Sequence, residues 1–287
     1  MDIRLNAQSK LVVSEEAAYV TFPGWKVPSN VRYGYSSRLF GLSKGIYASM
    51  NLGLNRGDDA DTVRANYKRI CKAIGIPAER VVFSKQTHLC NVRKVTAKDA
   101  GNGFTRDISF ENIDALMTDE PGLPLVIFTS DCVPVFLCDP VRRVIALVHA
   151  GWRGTVSGIA RETVFAMKRE YGSDPADIVA AVGPSICREC FEIGPEVAEE
   201  FKASFGGEVD SRDGVLFHGQ GDRFRADLWR ANEIRLLEAG VKKERITMSG
   251  LCTMCRPELF FSHRATNGQR GSNAGFLMLD EVWNEEP

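Results

Sequence analysis

The chain has 287 residues, with 36 lysines and arginines against 37 aspartates and glutamates, for a formal net charge of −1. That balance excludes a general polyanion binder, so no nucleic-acid partner is expected, although a local basic pocket is compatible with it. Hydrophobic residues make up 44% of the chain and charged residues 25%, an ordinary soluble make-up, and no apolar run reaches the roughly 18 residues of a membrane span. The first twenty residues, MDIRLNAQSKLVVSEEAAYV, lack the basic start and continuous apolar stretch of a secretory signal. A cytoplasmic protein without a membrane partner is therefore expected. In that setting the eight cysteines read as buried, metal-bound or catalytic thiols rather than bridges.

Residues 1–30 are expected to be an N-terminal extension or edge strands, and 31–283 a single catalytic domain. Residues 31–55 alternate polar and apolar positions with glycine breaks and read as short strands and loops. Asp58 to Ile74 reads as a helix, because Val63, Tyr67, Ile70 and Ile74 recur at spacings of three and four and Gly75 can end it. Val81–Ser84 and Asn91–Val95 read as strands flanking a polar loop with Gln86-Thr87-His88. Leu125–Thr129 is another strand, and Ser130-Asp131-Cys132-Val133-Pro134 follows it. Val135–Cys138 and Val144–Val148 are expected to pair as a hairpin across Asp139-Pro140. Pairing Cys138 with Val144 places Cys132 opposite Ala150, next to His149. Val156–Tyr171 reads as one helix, Ile178–Val182 and Ile246–Gly250 as strands, and Pro195–Phe205 and Leu228–Ala239 as helices. With no repeat and no linker, one compact domain is expected.

The segment Val144–Thr155, VIALVHAGWRGT, carries most of the chemistry. It runs an apolar strand into His149 and then into a Gly-Trp-Arg-Gly turn that opens a helix, where unpaired N–H groups favour anions. Only four histidines are present: His88, His149, His218 and His263. His88, Cys132 and His149 each have an ordinary reading, as a surface histidine, a small buried thiol and a core histidine. Together they match a catalytic zinc site, with three N and S ligands and one open position. Arg38, Arg153 and Arg264 sit among small residues, in SSRLFG, GWRGT and SHRATNGQRG, and guanidinium groups suit phosphate. Taken singly each reads as a solvated surface arginine, and Arg153 gains weight from the adjoining helix start.

Two CxxC pairs, Cys187/Cys190 and Cys252/Cys255, compete for metal, and 61 residues lie between them. That gap exceeds the roughly 15–20 residues of a zinc ribbon, so ordinary packing is preferred to a joint structural zinc or to redox chemistry. A base-deaminase fold is disfavoured, since no H-x-E segment accompanies a PCxxC.

The ordered set SKQTHLCNV, SDCVP, VIALVHAGWRGT, VGPSICRECFEIGPEV and LCTMCRPELFFSHR resembles the laccase-domain family of YfiH/YlmD type from about residue 32 to residue 279. That family was long labelled polyphenol oxidases and later described as purine nucleoside phosphorylases. The resemblance implies an α/β (α+β) fold of mixed sheets flanked by helices, with metal ligands at His88, Cys132 and His149. It also implies phosphorolysis of adenosine, inosine, guanosine and methylthioadenosine, with adenosine deamination as a second activity. Zinc is the expected cofactor, with copper able to occupy the site in vitro, and the expected partners are a purine nucleoside and phosphate. A monomer or small homo-oligomer is expected. Members often carry alanine at the position of Ser130 and tyrosine at that of His263. On this reading Cys132, Asp131 and Arg153 are catalytic, with Asp131 as a proton carrier or a turn acceptor. Arg38, Asn51, Gln86, Gly154, Thr155 and Arg264 bind substrate, with phosphate on Arg153, Gly154–Thr155 and Arg38.

Three alternatives stand beside it. A multicopper laccase is disfavoured by four histidines and no HxH pair. A cysteine hydrolase would use Cys132 as nucleophile and His149 as base. A zinc-stabilised binding module would rest on the CxxC pairs.

Overall fold

Apolar residues that alternate with polar ones build the amino-terminal strands β1 (Asp2–Arg4), β2 (Lys10–Val13), β3 (Ala18–Thr21) and β4 (Val31–Ser36). In the computed structural model, described for residues 1–206 and 209–280, residues 1–30 thus contribute three strands to a sheet. Residues 281–283 of the expected 31–283 domain lie outside the described residues. The first helix, α1 (Ala60–Ile74), starts where the Asp59 carboxylate accepts from the Thr62 N–H at 2.8 Å and stops at Gly75, whose φ of 82° is left-handed. Val63, Tyr67, Ile70 and Ile74 form its buried face, as their spacing requires.

The middle of the chain supplies β5 (Val92–Lys94), β6 (Ala115–Thr118), β7 (Leu125–Thr129), β8 (Val133–Asp139) and β9 (Val144–Ala150). Helices α2 (Trp152–Ser157) and α3 (Ile159–Tyr171) follow, then β10 (Val179–Val182) and β11 (Glu192–Ile193). Helix α4 (Pro195–Phe205) leads to β12 (Leu216–His218) and β13 (Phe224–Ala226). Helix α5 (Leu228–Glu238), β14 (Ile246–Met248) and β15 (Asn273–Leu279) complete the described residues.

One six-stranded sheet runs β1-β2-β3-β4-β15-β7, a second runs β14-β10-β8-β9-β6-β5, and β11-β13-β12 form a small third. The two large sheets pack face to face. Val20, Tyr35, Ile127 and Leu277 of the first meet Leu116, Phe136, Leu147 and Ala181 of the second in one apolar cluster. The outer face of the first sheet, with Val126, Phe276 and Met278, is covered by α1. The outer face of the second, with Val135, Leu137, Ala146 and Val148, is covered by α3, α4 and α5. The central strands β8 and β9 are therefore buried on both faces, which explains why they read as near-continuous apolar runs. Phe136 centres an aromatic group at this junction, with Phe22 and Trp25 at ring-centroid distances of 5.5 and 5.8 Å. Burying each such side chain contributes about 2–3 kcal/mol.

Several local expectations need correction. The β8–β9 hairpin forms, but Asp139 pairs with Val144 and Cys138 with Ile145, so the turn is one residue tighter than expected. Residues 81–84 are not a strand; Val82 makes a single bridge to Leu125. The expected helix 156–171 begins earlier, at Trp152, and is broken at Gly158, whose φ of 87° closes α2 and opens α3. β15, which lies between β4 and β7, was not anticipated, and all seven of its residues are buried, with Leu277 facing the second sheet and Phe276 and Met278 facing α1.

Candidate metal centre

His149 is the penultimate residue of β9, cross-strand from Pro134, and Cys132 immediately precedes β8. Positions 134 and 149 share one face of the pleat, so Cys132, two residues before Pro134, lies beside His149. His88 arrives from the loop after Ser84, held in the left-handed region at φ 63°. Its ring meets that of His149 edge-on at 4.8 Å between centroids. The ligand atoms of His88, Cys132 and His149 all lie within 4.8 Å of one another. Gly151 permits this approach, since a Cβ there would stand 2.3 Å from His88 Nδ1.

A residue missed at the sequence level organises the group. Asp114, fully buried at the head of β6, accepts from the His149 ring at Nδ1 (2.7 Å) and from the backbone N–H groups of Thr87, His88 and Leu89 at 3.2, 3.0 and 3.0 Å. Its carbonyl also accepts from the His149 N–H at 2.7 Å. One carboxylate thereby orients one histidine and shapes the loop that presents the other, the support that metal-ligating histidines commonly have. The only sequence signal was an acidic residue placed directly before an apolar strand.

Burial opposes charge on both Cys132 and His149, and each overcomes it through the other. Burial pushes the Cys132 thiol up, but His149 and then His88 bring it down to about 6. Burial pushes the His149 imidazole down, but Cys132 and Asp114 raise it to about 9. The pair is a thiolate facing an imidazolium. A soft thiolate and two imidazoles, with a carboxylate behind one of them, suit a borderline-soft divalent metal and leave a further position open.

Two cavities, of about 840 and 490 Å³, meet at this centre and share His88, Ser130, Cys132, Arg56 and Arg270 as lining. Gln86 also lines the larger, and Asp131, His263 and Arg264 the smaller. Arg56 and Arg270 were not singled out in the sequence, although Arg270 lies in the SHRATNGQRG segment quoted for Arg264. Arg270 is buried, its Nη1 donates to the Gly271 carbonyl and the Ser272 hydroxyl at 3.0 and 3.2 Å, and its Nε has no protein partner. Burial and the Arg56 charge beside it pull the Arg270 guanidinium down to about 10. It is still a cation at neutral pH. His263 is likewise pulled down, first by burial and then by Arg270.

The other expected site residues are held as follows. Gln86 exchanges two hydrogen bonds with the Phe128 backbone (2.8 and 2.7 Å), tying its loop to β7. Asp131, at φ 85°, accepts from Thr253 Oγ1 (2.6 Å), Ser262 Oγ (3.1 Å) and the Arg264 N–H (2.7 Å). The Arg264 guanidinium donates to the Glu192 carbonyl at 2.8 Å. Asn51 is buried and bonded to Asp58, Gly53 and Ser272. Arg38 donates to the Ala48 and Pro257 carbonyls and covers the Phe261 ring. Arg153 stacks on Trp152, while Gly154 and Thr155 are buried in α2, where Thr155 accepts from Asn232. Asn51, Arg38, Arg153, Gly154 and Thr155 line neither cavity.

The two CxxC pairs, far apart in sequence, are brought together by the fold. Cys187, Cys190, Cys252 and Cys255 converge with all four sulfurs within 4.8 Å of one another. Adjacent parallel strands β10 and β14 deliver them, which sequence spacing could not reveal.

Residues 32–280 match the family model described as multi-copper polyphenol oxidoreductase laccase. The purine nucleoside phosphorylase YlmD of Geobacillus stearothermophilus is 36% identical over 252 residues, covering 87% of this chain and 90% of that one. A protein named adenosine deaminase RL5, from an unknown prokaryotic organism, is 35% identical over 233 residues, covering 81% and 86%. The crystal structure of the Bacillus licheniformis hypothetical protein YfiH superposes with a TM-score of 0.85 at 33% identity, covering 96% and 98%. With a family model spanning most of the chain and relatives matched over nearly their full length, this protein belongs to the laccase-domain family of YlmD and YfiH.

Proposed function

We propose that this protein is a zinc-dependent purine nucleoside phosphorylase, converting adenosine, inosine, guanosine or methylthioadenosine and phosphate to the free base and ribose 1-phosphate, or its methylthio analogue from methylthioadenosine. The observation that carries this reading is the convergence of His88, Cys132 and His149 on two cavities that share Arg56 and Arg270. The name carried by the Geobacillus relative supplies the reaction class. The donor set fits zinc: His88, Cys132 and His149 would hold it, and when bound it would supply a Lewis acid toward the substrate.

The protein's own residues divide the other tasks. Arg56 and Arg270 neutralise the phosphate, in place of the α2 turn and Arg38, because they are the arginines shared by both cavities. Breaking the ribose–base bond develops positive charge on the sugar, as in glycoside cleavage, and a phosphate fixed beside that centre both stabilises the charge and attacks it. Asp114 keeps the His149 ring in one orientation throughout. Asp131 acts by positioning: its carboxylate is engaged by Thr253, Ser262 and Arg264, and it holds the backbone next to Cys132. Adenosine deamination is proposed as a second activity of the same site, on the strength of the relative named for it.

The test is incubation of zinc-verified protein with inosine, with and without phosphate, following hypoxanthine and ribose 1-phosphate. Phosphate-dependent formation of both, lost on chelation, is expected. Ribose in place of ribose 1-phosphate would refute phosphorolysis. Oxidation of phenols by copper-loaded protein without any cleavage of the four nucleosides would favour the oxidase reading. Turnover retained in Cys132→Ala would remove the metal from the reaction.

A further inference from the structure

The second cysteine cluster stands apart from the nucleoside site and does not depend on its function. Strands β10 and β14 are parallel neighbours, with Ala180 opposite Ile246 and Val182 opposite Met248, so both release the chain at the same edge of the sheet. Beyond them the two segments stay in register: Ser185 donates its N–H to the Leu251 carbonyl (3.1 Å), and the Thr253 N–H donates to the Ser185 carbonyl (3.2 Å). Each segment then makes a tight Cys-x-x-Cys turn. The Cys190 and Phe191 N–H groups fold back on the Cys187 carbonyl, and the Arg256 N–H on that of Cys252. The Cys252 sulfur accepts from the N–H groups of Cys187 (3.3 Å) and Cys255 (3.4 Å). Backbone donors aimed at a sulfur favour its ionised, metal-binding form.

We propose that Cys187, Cys190, Cys252 and Cys255 form a second metal centre, a closed tetrathiolate site for zinc that fixes one wall of the smaller cavity. Zinc with four thiolates at about 2.3 Å sets neighbouring sulfurs about 3.8 Å apart. All four sulfurs lie within 4.8 Å of one another, and those of Cys190 and Cys255 are 3.4 Å apart, well beyond a bonded pair. With every position taken by a thiolate, the site is structural and leaves none for substrate. It joins two segments far apart in sequence, and both reach the first centre. The Ile186 N–H donates to the Asp131 carbonyl (3.0 Å), and Thr253 Oγ1 donates to the Asp131 carboxylate (2.6 Å). Asp131 adjoins Cys132, and Ile186 and Phe191 line the smaller cavity. The tetrathiolate site thus positions the floor on which the first site is built.

Metal analysis of the full chain, expressed without an affinity tag that binds metal, tests this. Two zinc ions per chain are expected in the wild type, one in Cys132→Ala/His149→Ala, and one in Cys187→Ser/Cys252→Ser. The cobalt-substituted Cys132→Ala/His149→Ala protein should show the intense thiolate-to-cobalt absorption of a four-sulfur tetrahedral site. That measurement decides the matter even if the cysteine variants fail to fold. Zinc-free Cys132→Ala/His149→Ala protein that remains folded would overturn the proposal, as would iron in place of zinc. A Cys190–Cys255 disulfide in the freshly isolated protein, found by mass after alkylation, would do the same. Loss of phosphorolysis in any of these variants has no bearing on the count.

Discussion

Asp114 accepts from the His149 ring at 2.7 Å and, with the same carboxylate, from the N–H groups of three consecutive residues ending at Leu89. One buried charge therefore sets both histidines of the candidate metal centre. Burial raises this carboxyl, but the His149 ring and the N–H donors more than offset it, so Asp114 stays ionised. Asp114→Asn keeps the shape and removes the charge. It should weaken zinc binding by about 10–100-fold, measured by chelator competition, with the circular dichroism spectrum unchanged. Undiminished affinity would mean that Asp114 shapes the loop without tuning the ligand.

Cys132 is a thiolate at neutral pH in the metal-free protein, because its folded value of about 6 lies below the ordinary thiol range. Alkylation by iodoacetamide should be near its maximum at pH 7.5, fall as pH drops through 6, and be blocked by zinc. Peptide mapping should find Cys71 and Cys138 unmodified, since both are buried and their thiols are pushed up. A Cys132 rate that keeps climbing through pH 9, as for a free thiol, would contradict the thiolate–imidazolium pair.

Gly151 is required by close approach rather than by its backbone angles. Gly151→Ala puts a methyl group 2.3 Å from His88 Nδ1, so the ring must shift away from its position beside His149 and Cys132. The expected result is a folded protein with zinc affinity reduced at least as far as in His88→Ala. Isothermal titration with zinc would show it, and wild-type affinity would place His88 outside the ligand set.

Arg270 should report on phosphate. Arg270→Ala removes a buried cation worth about 1.5–3 kcal/mol in a charged hydrogen bond, so KM for phosphate should rise roughly 10–100-fold while KM for the nucleoside moves far less. Arg153→Ala tests the rival placement at the α2 turn. A phosphate effect in Arg153→Ala that is absent in Arg270→Ala would move the subsite there.

Residues 1–30 are expected to be integral to the core through Trp25, which packs edge-on against Tyr33 at 4.7 Å and lies against Phe136. Trp25→Ala and Phe136→Ala should each cost about 3–5 kcal/mol, read from the denaturant midpoint. A loss below about 0.5 kcal/mol in Trp25→Ala would make this segment a loosely attached extension.

Much of the molecule was legible in the chain itself, and the reason is local. Helix α1 is specified by an acidic cap, a three-and-four apolar spacing and a left-handed glycine, all close in sequence. Helix α4 and strand β7 match their expected bounds because proline at a helix start and an unbroken apolar run are strong local signals. The residue types of the candidate metal group were equally legible, since histidine and cysteine are scarce and chemically distinct.

Tertiary structure decided what depends on pairing. An offset of one residue in the β8–β9 turn decides which face each side chain takes. In the observed register His149 shares the face of Pro134 and so of Cys132, whereas the expected register would have turned it away. Asp114, Arg56 and Arg270 are common residue types with no periodic signature, and only the packing of two sheets brings them to the site. The CxxC pairs met for the same reason: Val182 at the end of β10 and Ile246 at the start of β14 are 64 positions apart in sequence, yet the two strands are hydrogen-bonded neighbours. Sequence determined which chemical groups this protein carries and the bounds of elements with strong local signals, such as α4 and β7. Strand order and register, set by burying both faces of the second sheet, decided which of those groups share a site.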